Sequence, residues 1–286
     1  MELIQESEEI SGRDDIKEER MKERNRIQEA EAEESLTRIN MEDTADMLQY
    51  EACRELKRCR DVHILRPGDS LLAAFFVPVL VLVVIFAQRG IFPFGEECFL
   101  RTDMYHQYAP FFSEFQYKLT HGGSLLYSWD IGMGVNFSAL YAYYLASPMN
   151  WLVALCPRQF LIEFMTVLIV IKTGLSGLSF TWYLRKHTGT REFGSCFFGI
   201  FYALSGYMAA YSWNIMWLDC ILLFPVILFG LERLVKEKKG MVYCIALGLS
   251  ILSNYYISIM ICIFMVIYAA VLVILYPPKK GKEFAA

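Results

Sequence analysis

Residues 241–276 read MVYCIALGLSILSNYYISIMICIFMVIYAAVLVILY, thirty-six positions without a charge. A ~30 Å hydrocarbon core is crossed by about 20 helical residues, and backbone groups in lipid must bond within their own segment. The run therefore predicts membrane-spanning helix, and it is long enough for two spans divided at Asn254-Tyr255-Tyr256. Upstream, Leu71–Ala87 has seventeen uncharged residues. Phe160–Leu184, Phe193–Tyr211 and Leu218–Leu231 are further candidates, while the apolar stretch Leu140–Cys156 holds Pro148 and Asn150.

The basic residues decide between these candidates, because Lys and Arg collect in short cytoplasmic loops. Arg185, Lys186, Arg191, Arg233, Lys236, Lys238, Lys239, Lys279, Lys280 and Lys282 all fall on one side only if Leu140–Cys156 does not span and 241–276 spans twice. A collar of Arg54, Lys57, Arg58, Arg60 and Arg66 lies on that same side. The expected fold class is thus an all-α integral membrane protein. It is a polytopic helical bundle of about six spans with both ends cytoplasmic, and its loop 89–159 is external and carries interfacial helices. Leu140–Cys156, with Tyr141, Tyr143, Tyr144 and Trp151, is expected to be an interfacial or re-entrant helix of that loop.

The expected domains are a charged cytoplasmic tail, 1–66, and a membrane domain, 67–286. The tail holds 19 acidic and 12 basic residues. It pairs some charges at i,i+4, as at Glu18–Lys22, but has little apolar surface to bury, so it is expected to be partly helical or disordered. The first apolar run begins at residue 71, too late for a cleaved signal peptide, and is expected to act as an uncleaved anchor. The eight cysteines show no metal-knuckle spacing. Nothing in the charge pattern asks for nucleic acid; membrane lipid is the implied surroundings.

Three polar constellations fall on the external face in this topology. In Arg101-Thr-Asp-Met-Tyr-His-Gln-Tyr108, Asp103 and Gln107 stand at i,i+4 with His106 at i+3. Asp103 suits a general base or a metal ligand, or simply a helix cap. In His121-Gly-Gly-Ser-Leu-Leu-Tyr-Ser-Trp129-Asp-Ile-Gly-Met-Gly-Val-Asn136-Phe137, glycines alternate with aromatics. Aromatic rings can stack on the apolar face of a sugar, and glycines allow close backbone approach, although an ordinary interfacial loop reads the same way. Asn214-Ile-Met-Trp217-Leu-Asp219 places a carboxylate at the end of a span, which is a functional candidate or an interfacial residue of low cost.

Lys172 sits at the centre of Phe160–Leu184. A lysine facing lipid at that depth costs about 2.5–3.5 kcal/mol, so it should face a cavity, an anion or an acidic partner. Glu163 is nine positions away, about 13 Å along a helix, and the partner must come from another span or from a bound anion.

Several strings together resemble the bacterial YfhO membrane-protein family. They are Asp103…Gln107-Tyr-Ala-Pro-Phe111, Leu126-Tyr-Ser-Trp129…Gly132-Met-Gly134-Val-Asn136-Phe137 and Leu140-Tyr-Ala-Tyr-Tyr-Leu-Ala-Ser-Pro148. Tyr202-Ala-Leu-Ser-Gly-Tyr207, Asn214–Asp219, Leu231-Glu-Arg233 and Asn254-Tyr-Tyr256 follow in order. The resemblance covers roughly 70–276. It implies a GT-C-like architecture, a glycosyltransferase using a sugar linked to polyprenyl phosphate, and a cell-envelope polymer such as teichoic acid as acceptor. In such enzymes the first external loop carries the catalytic acid residue, a place held here by Asp103. The substrate-binding residues it implies are Arg101, Gln107, Tyr108, Trp129, Asn136, Lys172, Asn214, Trp217, Asp219, Asn254 and Tyr255. Family members are usually several times longer, so this chain is expected to be the N-terminal part of a longer architecture, in the bacterial cell membrane with its N-terminus cytoplasmic. The leaving phosphate's charge would be met by Arg101, Lys172 or a divalent ion. The competing readings are a transporter or flippase for lipid-linked sugars, and an inactive membrane scaffold.

Overall fold

The computed structural model describes residues 68–100, 102–190 and 192–276. The tail 1–66 with its basic collar, Arg101, Arg191 and the Lys279–Lys282 run lie outside the described residues. Within them the chain is helical apart from one two-stranded hairpin, and its apolar helices are those of a membrane protein.

The Leu71–Ala87 run forms α1 (Asp69–Arg89), closed by Gly90 at φ 65°, a left-handed turn that glycine enters without a Cβ penalty. Loop residues lead to a π-helical turn, Met104–Tyr108, continuous with α2 (Ala109–His121). Strands β1 (Tyr127–Ser128) and β2 (Val135–Asn136) form the hairpin. It is held to α2 by Ser128 Oγ donating to Glu114 Oε1 (2.6 Å) and Lys118 Nζ donating to the Tyr127 carbonyl (3.0 Å). Then come α3 (Phe137–Leu140), a π turn (Tyr141–Leu145) and a 3-10 stretch (Pro148–Leu155). The remaining helices are α4 (Leu161–Thr188), α5 (Ser195–Ala203), α6 (Gly206–Tyr211), α7 (Leu218–Glu237), α8 (Met241–Ser253) and α9 (Tyr255–Leu275).

Among the described residues, three helices are long and apolar enough to cross a membrane: α1, α4 with its preceding turn (Arg158–Thr188), and α9. The other segments expected to span are shorter or interrupted. Phe193–Tyr211 is not one helix, because Ser205 turns extended (ψ 159°) and its side chain caps a new helix at the Met208 amide. Within α7 the apolar part is Leu218–Leu231, and α8 has 13 residues, about 20 Å of rise. Leu140–Cys156 is not one continuous helix. It is broken at Ser147 (ψ 131°) before Pro148, which removes a backbone donor and pushes its predecessor out of helical geometry.

Small residues set the close contacts around α4, the usual device where lipid gives helices no reason to associate. A Cβ on Gly174 would lie 2.7 Å from Val79 and 2.9 Å from Phe75, and one on Gly177 would run into the Ala74 carbonyl of α1. On the other flank, Gly230 of α7 lets the Tyr243 backbone of α8 approach.

Helices α4 and α7 run parallel, since Lys172 meets Asp219 and, further along both, Tyr183 meets Glu232. Asp219 opens α7, whereas Lys172 is the twelfth residue of α4. Thus α7 begins about 16 Å along α4 from the start of that helix. The α8–α9 turn stops at the same level, where Cys220 Sγ lies 3.5 Å from the carbonyls of Ser250 and Asn254. The recess so left beside α4 is filled by α2 and residues 137–153. Phe112, Phe115, Phe137, Leu145 and Val153 form one buried cluster there with Met165 and Ile169 of α4 and with Ile215 and Leu218.

Candidate functional site

The recess brings four stretches of chain together. From α4, Lys172 reaches across to the start of α7, its Nζ 2.6 Å from Asp219 Oδ2. The same ammonium donates to the Ile215 carbonyl (3.3 Å) and to Ser147 Oγ (3.4 Å), while Ser147 Oγ donates to Asp219 Oδ1 (2.8 Å). All three side chains are buried, Lys172 completely. The partner required from another span is therefore Asp219. The pair uses both charges on each other and leaves no open face of the lysine toward a ligand.

Above this pair lies a neutral layer. The Tyr108 hydroxyl donates to Asn214 Oδ1 (3.0 Å), and Gln107 Nε2 donates to the Tyr144 hydroxyl (3.0 Å). Asn254 Nδ2 donates to the Tyr143 carbonyl (3.0 Å), while its Oδ1 caps α9 at the Ile257 amide (3.0 Å). The Tyr108 ring stands 5.5 Å from Tyr144 and 6.4 Å from Trp213, Tyr143 lies 5.6 Å from Tyr255, and Trp217 lies 6.3 Å from Tyr256. Trp217 Nε1 is buried, with the Tyr143 hydroxyl as its neighbouring acceptor.

Asp103 precedes the π turn but does not cap it: its side chain accepts no bond from the turn's amides. It is exposed, and among the described residues it makes no hydrogen bond or ion pair. Burial, then Tyr144, then the Asp103 charge push the Tyr108 phenol well above its ordinary pKa, which keeps it a donor to Asn214. Among the described residues Asp103 is thus an exposed, unengaged carboxylate at the margin of a packed layer of rings and side-chain amides.

The structure links Gln107, Tyr108, Asn214, Trp217, Asn254 and Tyr255 around this recess and places the Lys172–Asp219 pair beneath them. It does not bring Trp129 or Asn136 there. Trp129 is 75 % exposed on the hairpin and packs on Tyr127, and Asn136 uses its Oδ1 to cap α3 and to accept from Ser138. Arg101 lies outside the described residues. Ser147, which was not singled out, and Tyr143 and Tyr144, read only as interfacial aromatics, complete the network. Their signal was the break before Pro148 in an aromatic run, which put polar groups where a plain interfacial helix would not need them. No group of three or more His, Cys, Asp or Glu side chains that could hold a metal ion occurs among the described residues.

A second polar cluster lies at the opposite end of α4 and α7. Glu232, one residue beyond the apolar part of α7, accepts from Tyr183 (2.8 Å) and Tyr268 (2.8 Å) and sits 2.8 Å from His187 Nδ1. Burial pushes the Glu232 carboxyl up, but the hydrogen bonds from His187, Tyr183 and Tyr268 outweigh it, and its pKa lies below the ordinary carboxylate value.

The family model described as "Bacterial membrane protein YfhO" matches residues 73–286. The chain belongs to that family of membrane proteins. No curated protein and no solved structure matches it.

Proposed function

We propose, taking this membership as the premise, that the chain is a GT-C-type membrane glycosyltransferase. It transfers a sugar from a polyprenyl-phosphate-linked donor to an extracytoplasmic cell-envelope polymer such as teichoic acid. The observation that carries the reading is Asp103, an exposed carboxylate with no partner among the described residues, beside a layer of tyrosines, tryptophans and side-chain amides. Rings offer stacking surface to a sugar, and the side-chain amides of Gln107 and Asn214 offer hydrogen bonds to its hydroxyls.

In the reaction, the acceptor hydroxyl gives its proton to the Asp103 carboxylate as its oxygen attacks the anomeric carbon. The bond from that carbon to the phosphate oxygen breaks, and polyprenyl phosphate leaves with the electron pair. Lys172 is unsuited to meet the leaving phosphate, because Asp219 neutralises it within a closed network. Its role here is to hold the Ile215 carbonyl, and so the turn that presents Asn214 and Trp217. The orientation that goes with this reading puts the recess on the extracytoplasmic side and the N-terminus inside.

The test is Asp103→Asn in the full-length protein, with a polyprenyl-linked sugar as donor. The change keeps shape and removes basicity. The variant should melt like the parent and lose on the order of 10²–10⁴ in rate, the usual share of a positioned base. Parental turnover would remove Asp103 from the mechanism.

A further inference from the structure

Between α2 and the chain entering α4 lies a second concavity of about 140 Å³, bordered by Ser113, Gln116, Thr120, His121, Cys156 and Arg158. Its frame is fixed. Gln116 Nε2 donates to the carbonyls of both Val153 (3.0 Å) and Cys156 (2.6 Å), tying α2 to the 3-10 stretch. The His121 ring stacks on Tyr117 at 4.3 Å, with Nδ1 3.1 Å from the Tyr117 carbonyl. The same Nδ1 lies 2.9 Å from Thr120 Oγ1, so both contacts of the ring within the chain fall on Nδ1. Among the described residues, the Arg158 guanidinium and the Ser113 hydroxyl make no hydrogen bond or ion pair. Nearby carboxylates are Glu114, which is engaged by Lys118 (3.2 Å), and Glu163, whose charge is felt at Cys156.

A second feature adjoins this pocket. Trp151, Leu152, Leu155 and Phe160 project apolar side chains outward on either side of it, Leu155 with 84 % of its surface exposed. Apolar side chains turned outward next to an arginine, a histidine and hydroxyls are the pattern of a segment lying at the membrane surface. Rings and alkyl groups sit among lipid chains there, and cationic groups reach headgroup phosphates.

We infer that this pocket binds the phosphate of a membrane lipid. Arg158 supplies the charge, the Ser113 hydroxyl supplies a further donor, His121 lines the pocket, and the Trp151–Phe160 flank seats the chains. Two sources share this chemistry: a bulk anionic phospholipid and a polyprenyl phosphate. The inference stands apart from the transfer reaction, since its test needs no turnover.

The purified chain would be titrated in detergent with phosphatidylglycerol, polyprenyl phosphate or uncharged diacylglycerol, and bound lipid counted by native mass spectrometry. Phosphate-bearing lipid should bind in preference to diacylglycerol. Arg158→Gln, an exposed change that should leave the melting curve in place, should weaken that binding on the order of tenfold, the worth of one charged hydrogen bond. Glu163→Gln, which removes a nearby negative charge, should strengthen it. If polyprenyl phosphate displaces phosphatidylglycerol, the lipid carrier is the ligand; if the reverse, the bulk lipid is. Equal binding of diacylglycerol, or unchanged phosphate-lipid binding by Arg158→Gln, would overturn the inference.

Discussion

Removing one member of the Lys172–Asp219 pair should destabilise the bundle more than removing both. Lys172 is 0 % exposed and Asp219 4 %, with 2.6 Å between charged atoms. In Lys172→Met the Asp219 carboxylate keeps only Ser147 as a donor. In Asp219→Asn the ammonium keeps two neutral acceptors, Ser147 Oγ and the Ile215 carbonyl. Breaking a buried pair costs about 3–5 kcal/mol, so Lys172→Met should lie toward the upper end and Asp219→Asn toward the lower. The double variant Lys172→Met/Asp219→Leu removes both desolvation penalties and leaves the Ser147 hydroxyl and the Ile215 carbonyl without the partners they had. It should fall within about 1–2 kcal/mol of the parent. Unfolding in a fixed detergent at rising denaturant, run as a double-mutant cycle, gives a coupling energy expected to exceed about 2 kcal/mol. Single variants as stable as the parent, or a double variant losing the sum of the two, would refute the reasoning. A folded double variant with parental turnover would confine the pair to holding the turn.

Glu232→Gln tests the cluster at the other end. Its folded pKa is depressed, so its contribution is fully present above the ordinary carboxylate value of about 4.3 and is lost as pH falls through the lower, folded value. The variant should have a lower melting midpoint at neutral pH, by the equivalent of about 1–3 kcal/mol, and a flatter acid limb in a pH series of melts. For the topology, reporter fusions after Thr188 and after Glu237 should both report cytoplasm; an exterior signal from either would invert the proposed placement of the recess.

What could be read in the sequence was what depends on long uncharged runs. Leu71–Ala87, Phe160–Leu184 and the second half of 241–276 became α1, α4 and α9, the apolar length of the first prevailing even over Pro78 inside it. Phe193–Tyr211 read as one span because hydropathy is blind to Ser205, whose hydroxyl can end one helix and cap the next. The depth at which α7 starts was hidden for a similar reason. Where Asp219 meets α4 depends on packing between helices, and no periodicity within a segment records it. Lys172 announced that it needed a partner but not which one, and the answer came with a third member, Ser147, from a stretch read as interfacial. Asn136 shows the converse: a residue in a convincing string whose amide serves only the local turn.

The 47-residue separation between Lys172 and Asp219 has a bearing on how the protein is made. Synthesis runs from the N-terminus, so α4 enters the bilayer before α7 can dock beside it with the counter-ion. A lone lysine at that depth weakens insertion by about 2.5–3.5 kcal/mol, which the apolar remainder of α4 must offset while it waits. Its release comes only when α7 arrives and places Asp219 against it. Lateral docking of α7 is thereby made the event that commits the nascent chain to this bundle, and a ribosome paused between the two helices would hold α4 at its least secure.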